Sequence, residues 1–372
     1  MVSPKLPWPA HPQPLPDEVF SSWIVRAAMC NGQKLRSFLT MTAPTMRSVS
    51  KSIDTHVSDH SLKQIAFKMK TDYATAYQTT MQSYQGYLFE KESDKSYRKQ
   101  CVLSLGETRN DLNYQQYCPL CLNEKNPYYR KRWRISFITV CEVHHCKLLD
   151  NCYSCRAPVK VIGNDQRKKS RVYAGSFTAC HCCASPLENA PVALASPVVI
   201  NDTKKYINIL TAGFAQLCPE RWIYSFSFFA VLRHMMRLTL EKTIPTGLLK
   251  IHDVDALPID LRYYALTKLP KVFSNWPGNL LKISENMGIS FSDFSPLTKT
   301  TSTFPYWLDE AVRPKLYNPN IEPTQESIHN AIKIMLSKGM KINITTVNLF
   351  MGYRDSEKIK TLVKKWRKNN YV

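Results

Sequence analysis

Four short clusters of cysteine and histidine decide the fold of this chain: Cys118-Pro-Leu-Cys121, Cys141-Glu-Val-His144, Cys152-Tyr-Ser-Cys155 and Cys180-His-Cys-Cys183. A pair of ligands separated by two residues supplies two metal-binding atoms from one tight turn. Two such turns complete a tetrahedral zinc site when folding brings them together. The order of the four clusters therefore predicts two metal sites, one after the other along the chain.

We assign one set of four ligands to each predicted site. The first site takes Cys118, Cys121, Cys141 and His144, and the second takes Cys152, Cys155, Cys180 and Cys183. Four neighbouring residues could replace the adjacent ligand after a slip of one residue: His145, Cys146, His181 and Cys182. The choices between His144 and His145 and between Cys182 and Cys183 therefore stay open at the level of sequence.

The chemistry of these clusters predicts two structural zinc ions per chain. Four protein ligands leave no open position for an activated water, so a catalytic zinc is not expected. Disulfide bonds are the alternative, and they require an oxidising compartment. The N-terminal residues show no basic segment followed by an apolar one, which is the pattern of a secretion signal. We therefore expect the thiols to bind metal.

The composition is that of a globular protein with a strong excess of positive charge. The chain has 372 residues, of which 44% are hydrophobic, and its formal net charge is +21 with a pI near 9.4. Such an excess is typical of proteins with a polyanionic partner, most often nucleic acid. The longest apolar run, 222–232, is shorter than the ~20 residues of a membrane-spanning helix. We expect no membrane segment and interpret this run as a core helix beginning at Trp222.

A helix is predicted near the N-terminus, after an arm with six prolines between positions 4 and 16. Asp17 is a suitable N-cap, and apolar residues recur at helical spacing from Phe20 to Cys30. Asn31-Gly32 then supplies a left-handed stop.

This helix and the zinc region together carry a family resemblance. The run Pro14-Leu-Pro16-Asp-Glu18-Val-Phe-Ser21-Ser-Trp23-Ile-Val-Arg26-Ala27 resembles the opening signature of the TniQ/TnsD family of transposon target-selection proteins. The zinc region is similar to that family in ligand spacing and in flanking residues such as Trp133-Arg134-Ile135. The resemblance covers residues 7–190.

The resemblance implies a mainly α-helical fold in which helix-turn-helix domains flank a double zinc-binding module of zinc-ribbon or zinc-finger type. It divides the chain into an N-terminal helical TniQ domain (1–100), a tandem zinc-binding module (101–190), a helical domain (191–320) and a C-terminal helix-turn-helix (321–372). Within the signature, it assigns Trp23 and Arg26 to partner binding.

The function that the resemblance implies is a non-enzymatic adaptor in a bacterial cytoplasm. Such a protein links a target-recognising element of a Tn7-like transposon to a TnsC-like AAA+ ATPase. Shorter family members dock as homodimers on an RNA-guided CRISPR Cascade complex, whereas others bind attachment-site DNA directly and carry longer C-terminal extensions. About 190 residues follow the zinc region here, which favours the RNA-guided route.

Two basic loops inside the zinc region are predicted to contact nucleic acid. The residues are Arg130 and Arg132 in the first loop, and Arg167, Lys168 and Lys169 in the second. Zinc-bound loops would hold these charges in fixed positions, where they can contact phosphates.

The last fifty residues predict a helix-turn-helix. An amphipathic helix over 324–337 is followed by a short helix that Thr345 or Thr346 caps and that runs through Val347, Leu349 and Phe350. The last helix carries six basic residues, and we expect them to contact DNA phosphates more than base edges. They are Lys358, Lys360, Lys364, Lys365, Arg367 and Lys368.

Two other classes of function compare differently with the sequence. A zinc-containing transcription regulator would share the helix-turn-helix and the charge. An enzyme is not expected, because the sequence contains no phosphate-binding G-x4-G-K-[ST] loop, no H-E-x-x-H and no acidic cluster with metal spacing.

Overall fold

The computed structural model describes residues 6–46, 53–90, 101–103, 115–163, 176–245, 253–297, 304–317, 322–353 and 355–370. These residues are mainly α-helical, with two short antiparallel hairpins, as the predicted fold class requires. The chain divides into two compact units, Met1–Leu316 and Tyr317–Val372. The predicted boundaries of the four segments stay predictions.

The elements of the first unit follow one another in this order. The helices are α1 (Phe20–Cys30), α2 (Leu35–Thr42), α3 (Asp59–Lys68), α4 (Tyr73–Gln78), α5 (Pro119–Leu122), α6 (Pro197–Ala212), α7 (Ser225–Thr243), α8 (Ile259–Thr267), α9 (Gly278–Asn286) and α10 (Tyr306–Leu316). Strands β1 (Val140–Cys141) and β2 (Cys146–Lys147) pair in one hairpin, and β3 (Phe214–Cys218) and β4 (Arg221–Tyr224) pair in the other.

Helix α1 occupies the span that the sequence predicts. Phe20, Trp23 and Ile24 are fully buried, and the helix ends at Asn31, followed by Gly32 with a φ of +64°. Its start differs from the prediction, because Val19 occupies the N-cap position. Asp17 lies two residues earlier with a φ of +59°, and its side chain pairs with an arginine of the zinc region instead of capping the helix.

The entry to α1 is joined to the loop that follows the first cysteine pair. The Val19 backbone N–H donates to the Tyr129 carbonyl oxygen at 3.0 Å, and the Lys131 N–H donates to that of Asp17 at 2.6 Å. Glu18 and Arg130 face each other in an antiparallel bridge between these bonds. We call this pairing of residues 17–19 with 129–131 the seam.

One hydrophobic core runs through the first unit, from Val19 to Val312. Phe137 of the zinc region stacks on Phe229 of α7, with ring centroids 4.6 Å apart. The buried guanidinium of Arg262 in α8 donates to the Ser136 carbonyl oxygen at 2.6 Å and to the Gln116 Oε1 at 3.1 Å. The later helices therefore cover the zinc region with both apolar contacts and hydrogen bonds.

The predicted aromatic helix begins later than the sequence suggests. Trp222 lies in β4 and is 59% exposed, whereas α7 begins at Ser225. The prediction of a helix from Trp222 is wrong at its start because alternate residues of β4 point to opposite faces of the hairpin. Ile223 is buried there, and its neighbours Trp222 and Tyr224 are exposed.

The described residues of the second unit form three helices, α11 (Gln325–Ser337), α12 (Ile344–Met351) and α13 (Glu357–Asn370). Its small core contains Ile328, Ile332, Met335, Ile342, Val347, Ile359 and Val363. Asn343, rather than Thr345 or Thr346, is the N-cap of α12, and it forms a capping box with Thr346. The helix runs through Val347, Leu349 and Phe350 as predicted; Val347 is buried, and Leu349 and Phe350 are 73% and 42% exposed.

Helix α13 is anchored at its start by a carboxylate from outside the helix. Glu322 accepts hydrogen bonds from the Ser356 hydroxyl and from the Lys358 backbone N–H. The Ser356 hydroxyl bond is the main reason that the pKa of Glu322 is lowered. A carboxylate at a helix N-terminus also interacts favourably with the helix dipole.

Candidate metal centres and basic surfaces

The four predicted ligands of the first site converge. His144 Nδ1 lies 3.5 Å from Cys118 Sγ, 3.2 Å from Cys121 Sγ and 3.7 Å from Cys141 Sγ. The four ligand atoms all lie within 4.8 Å of one another. With Zn–S bonds of about 2.3 Å, tetrahedral ligands lie roughly 3.8 Å apart, so this donor set and its spacing fit a zinc ion.

Local structure explains how these side chains meet. Cys118 is the N-cap of α5, and Pro119 occupies the first turn, where its missing N–H costs nothing. Cys121 follows within the same short helix. Cys141 ends β1, and His144 lies in the turn that leads to β2.

A carboxylate lies near the imidazole of the first site. Nε2 of His144 lies 3.8 Å from Glu124 Oε1, whereas Nδ1 faces the three sulfurs. This distance is longer than a hydrogen bond, so Glu124 is a nearby negative charge and does not fix the ring. His145 faces elsewhere, because its Nε2 lies 3.1 Å from Lys204 Nζ. The geometry therefore favours His144 as the ligand.

The predicted ligands of the second site also converge. Cys152 Sγ lies 3.7 Å from Cys183 Sγ, and Cys155 Sγ lies 3.7 Å from Cys180 Sγ. All four sulfur atoms lie within 4.8 Å of one another, which fits an all-thiolate zinc site. Cys182 contributes its backbone N–H to Cys180 Sγ at 3.4 Å. This geometry favours Cys183 over Cys182 as the fourth ligand.

The two clusters differ in their exposure to solvent. Cys118, Cys121 and Cys141 are buried, whereas Cys155 and Cys183 are exposed. Hydrogen bonds with Ser185 lower the pKa of the Cys183 thiol to about 6. The thiolate is the form that binds metal, and the two shifts in this cluster oppose each other, because burial raises the pKa of Cys180 to about 12.

The two predicted partner-binding residues lie within the fold. Trp23 is fully buried, and its Nε1–H donates to the Pro12 carbonyl oxygen at 2.8 Å. Trp23 has no exposed surface in this chain and packs in the core, and its partner role stays a prediction. Arg26 pairs with Glu18 through two bonds of 2.8 and 2.6 Å, and its side chain is 18% exposed. Its partner role stays a prediction.

The arginines of the first basic loop are engaged inside the molecule. Arg132 pairs with Asp17 at 2.5 Å and with Glu142 at 2.8 Å. Arg130 lies over the rings of Tyr128 and Trp133, 5.0 and 5.9 Å from their centroids. The predicted nucleic-acid contacts of Arg130 and Arg132 remain untested, and they would compete with these intramolecular partners.

The two residues beside these arginines are buried. Arg134 is 1% exposed and pairs with Asp54. Lys131 is 6% exposed, and its Nζ donates to the Gln78 carbonyl oxygen and to the Ser83 hydroxyl. Burial lowers the pKa of Lys131 to about 8. This part of the basic loop therefore stabilises the fold instead of presenting free charge. Arg167, Lys168 and Lys169 of the second loop lie outside the described residues.

Most basic residues of α13 are exposed to solvent, unlike those of the first basic loop. Lys360 is partly buried and pairs with Glu357 at 2.8 Å. The other five are exposed along one helix, and they are Lys358, Lys364, Lys365, Arg367 and Lys368. Ile359 and Val363 hold the opposite face in the core of the second unit. The charge of α13 thus faces solvent.

Comparison with known families identifies the first part of the chain. Residues 9–148 match the family model described as TniQ. No curated protein matches the chain. Among the described residues, no helix has the length and apolar character that crossing a membrane requires.

Substitution of a ligand tests the zinc assignment. We expect the purified chain to contain two zinc ions, and Cys155→Ser to lower the content to about one and to reduce the melting temperature. Elemental analysis and thermal unfolding measure both effects. Cys30→Ser replaces an exposed cysteine outside the clusters and should change neither. A metal-free protein with full stability would refute the zinc assignment.

Replacement of Arg132 tests the ion pairs beside the seam. Arg132→Ala leaves Asp17 and Glu142, both largely buried, without their partner, which should reduce the free energy of unfolding by about 1–3 kcal/mol. Denaturant titration measures the change. Arg36→Ala, at an exposed position of α2, is the matched control and should cost less than about 0.5 kcal/mol. Equal stability of both variants would show that the pairs do not stabilise the fold.

Proposed function

We propose, from the premise that the chain belongs to the TniQ/TnsD family through its residues 9–148, that it is an adaptor for target selection in transposition. The TniQ domain implies a Tn7-like target-selection protein. The finer proposal is that the chain connects a CRISPR Cascade complex and its guide RNA to a TnsC-like AAA+ ATPase. It would act without catalysis, as a homodimer, in the bacterial cytoplasm.

The matched range itself is the observation that supports this proposal. It includes α1 with its signature and ends at Leu148, just beyond the hairpin that carries Cys141 and His144. The family portion therefore contains the whole first cluster and both sides of the seam, whereas the second cluster follows it. A rigid module of this kind is suited to holding partners at a fixed spacing.

Co-elution tests the adaptor. The full-length chain, the ATPase and the guide-loaded Cascade complex are taken from one transposon and mixed in pairs at low salt, where charged surfaces associate most readily. We expect the chain to bind each partner alone and to bring both into one complex, with a mass that contains two copies of the chain. Light scattering coupled to size exclusion measures this.

The controls for that experiment distinguish specific binding of the two partners from nonspecific association through positive charge. Cascade loaded with its guide but lacking the chain should not retain the ATPase. An unrelated protein of similar size and positive charge should retain neither partner. If the chain binds neither partner but regulates a promoter by itself, the adaptor proposal is wrong and the transcription-regulator alternative is favoured.

A second candidate function, direct binding of attachment-site DNA, is supported by the exposed charge of α13. A three-helix unit with a basic outer helix is the arrangement of helix-turn-helix proteins that bind the major groove. The buried face of α13 and the cap from Glu322 hold its orientation. We propose the helix-turn-helix assignment on this basis.

Substitutions on α13 test DNA binding. Replacing Lys364, Lys365 and Lys368 with alanine should weaken duplex binding for all sequences alike. It should also reduce the log-log salt slope by roughly 0.9 for each lost phosphate contact. The matched control replaces three exposed lysines elsewhere in the second unit, Lys333, Lys338 and Lys341. Unchanged DNA binding by the α13 variant would show that this helix does not contact DNA. A loss of binding for one DNA sequence alone would show that the helix contacts base edges instead of phosphates.

A further inference from the structure

A fifth metal-binding atom lies beside the first cluster. Cys146 is fully buried at the start of β2, and its Sγ lies 3.5 Å from Cys118 Sγ. This separation is close to the distance of roughly 3.8 Å between two sulfur ligands of one zinc ion. Cys146 is nevertheless outside the group of four atoms that meet within 4.8 Å.

The β1–β2 hairpin explains why Cys146 faces this cluster. Cys141 and Cys146 are directly opposite each other in the antiparallel register. Opposite residues of an antiparallel pair project to the same face of the hairpin, with their Cβ atoms about 5 Å apart. The hairpin therefore offers three donors to one metal, from Cys141, His144 and Cys146.

His144 and Cys146 approach the cluster in different environments. His144 has a side chain that is 25% exposed, and the carboxylate beside it, on Glu124, is 44% exposed. Cys146 has no exposed surface. Cys118 Sγ is 3.5 Å from both of them. The first site thus has one donor that water can reach and one that it cannot, next to the same sulfur.

We propose that Cys146 is a reserve ligand, which replaces His144 on the metal when the imidazole is lost. In a zinc-loaded site, one metal–nitrogen bond would be replaced by one metal–sulfur bond, and the proton of the Cys146 thiol would pass to the released imidazole or to water. No oxidation or reduction occurs. The site changes from three sulfurs and one nitrogen to four sulfurs and keeps its metal.

The added negative charge of a fourth thiolate has a partner in the structure. Arg130 Nη2 lies 4.0 Å from Cys121 Sγ, and the Arg130 side chain is held over two aromatic rings. A guanidinium at this position is attracted more strongly to a site with two net negative charges than to one with a single charge. This assigns Arg130 an electrostatic role at the metal cluster.

Single and double variants of the full chain test the reserve ligand. His144→Ala should keep two zinc ions, and X-ray absorption should show eight sulfurs and no nitrogen in place of seven sulfurs and one nitrogen. Cys146→Ser should keep two zinc ions with the wild-type ligands. The double variant should hold one zinc ion. Loss of one zinc from His144→Ala alone, or from Cys146→Ser alone, would overturn the proposal.

A kinetic measurement keeps the test valid if His144→Ala does not fold. Zinc transfer from the wild-type chain and from Cys146→Ser to a colour-forming chelator is followed over time. The first site should lose its metal several-fold faster in Cys146→Ser, because no reserve ligand recaptures the ion, while the second site serves as the internal standard. Cys101→Ser, a buried cysteine away from both clusters, is the matched control. Equal rates for all three proteins would overturn the proposal.

Discussion

The seam between residues 17–19 and 129–131 is the constraint on which the first unit depends. Backbone hydrogen bonds fix the start of α1 against the loop after Cys121, and the Asp17 side chain pairs with Arg132 beside them. Helix α1, which carries the family signature, is therefore fixed in position relative to the loop that follows Cys121 of the first metal cluster. A shift of either would break buried polar contacts of the other, which is costly where water cannot replace them.

Positive charge has two separate uses in this chain. Near the seam, Arg132 and Arg134 pair with carboxylates, and Lys131 donates to buried oxygens. On α13 the basic side chains face solvent because Ile359 and Val363 take the opposite face. Net charge alone predicts a polyanionic partner but does not distinguish these uses, since a pairing partner such as Asp54 lies 80 residues away in the sequence.

Ligand spacing and helical periodicity predicted much of the structure, because both are local patterns. The eight ligands fall into the two expected groups, and α1, α11 and α13 lie where the apolar repeats indicate. The features that the sequence did not predict depend on contacts between residues that are distant in the chain. Trp222 belongs to a hairpin with Phe214 as its ring neighbour, and Glu124 lies 3.8 Å from His144, which comes 20 residues later in the sequence. Neither contact leaves a periodic signal.

Arg262 gives the first unit an order of assembly during synthesis. Its bonds to Ser136 and Gln116 span 126 and 146 residues, whereas the first cluster closes within 26 residues and the second within 31. Short loops close at low entropic cost, so both metal-binding segments can form before α8 leaves the ribosome. At that stage the nascent chain would contain two closed metal clusters, with Ser136 and Gln116 still exposed beside them. When α8 is synthesised, Arg262 binds both residues and covers this surface.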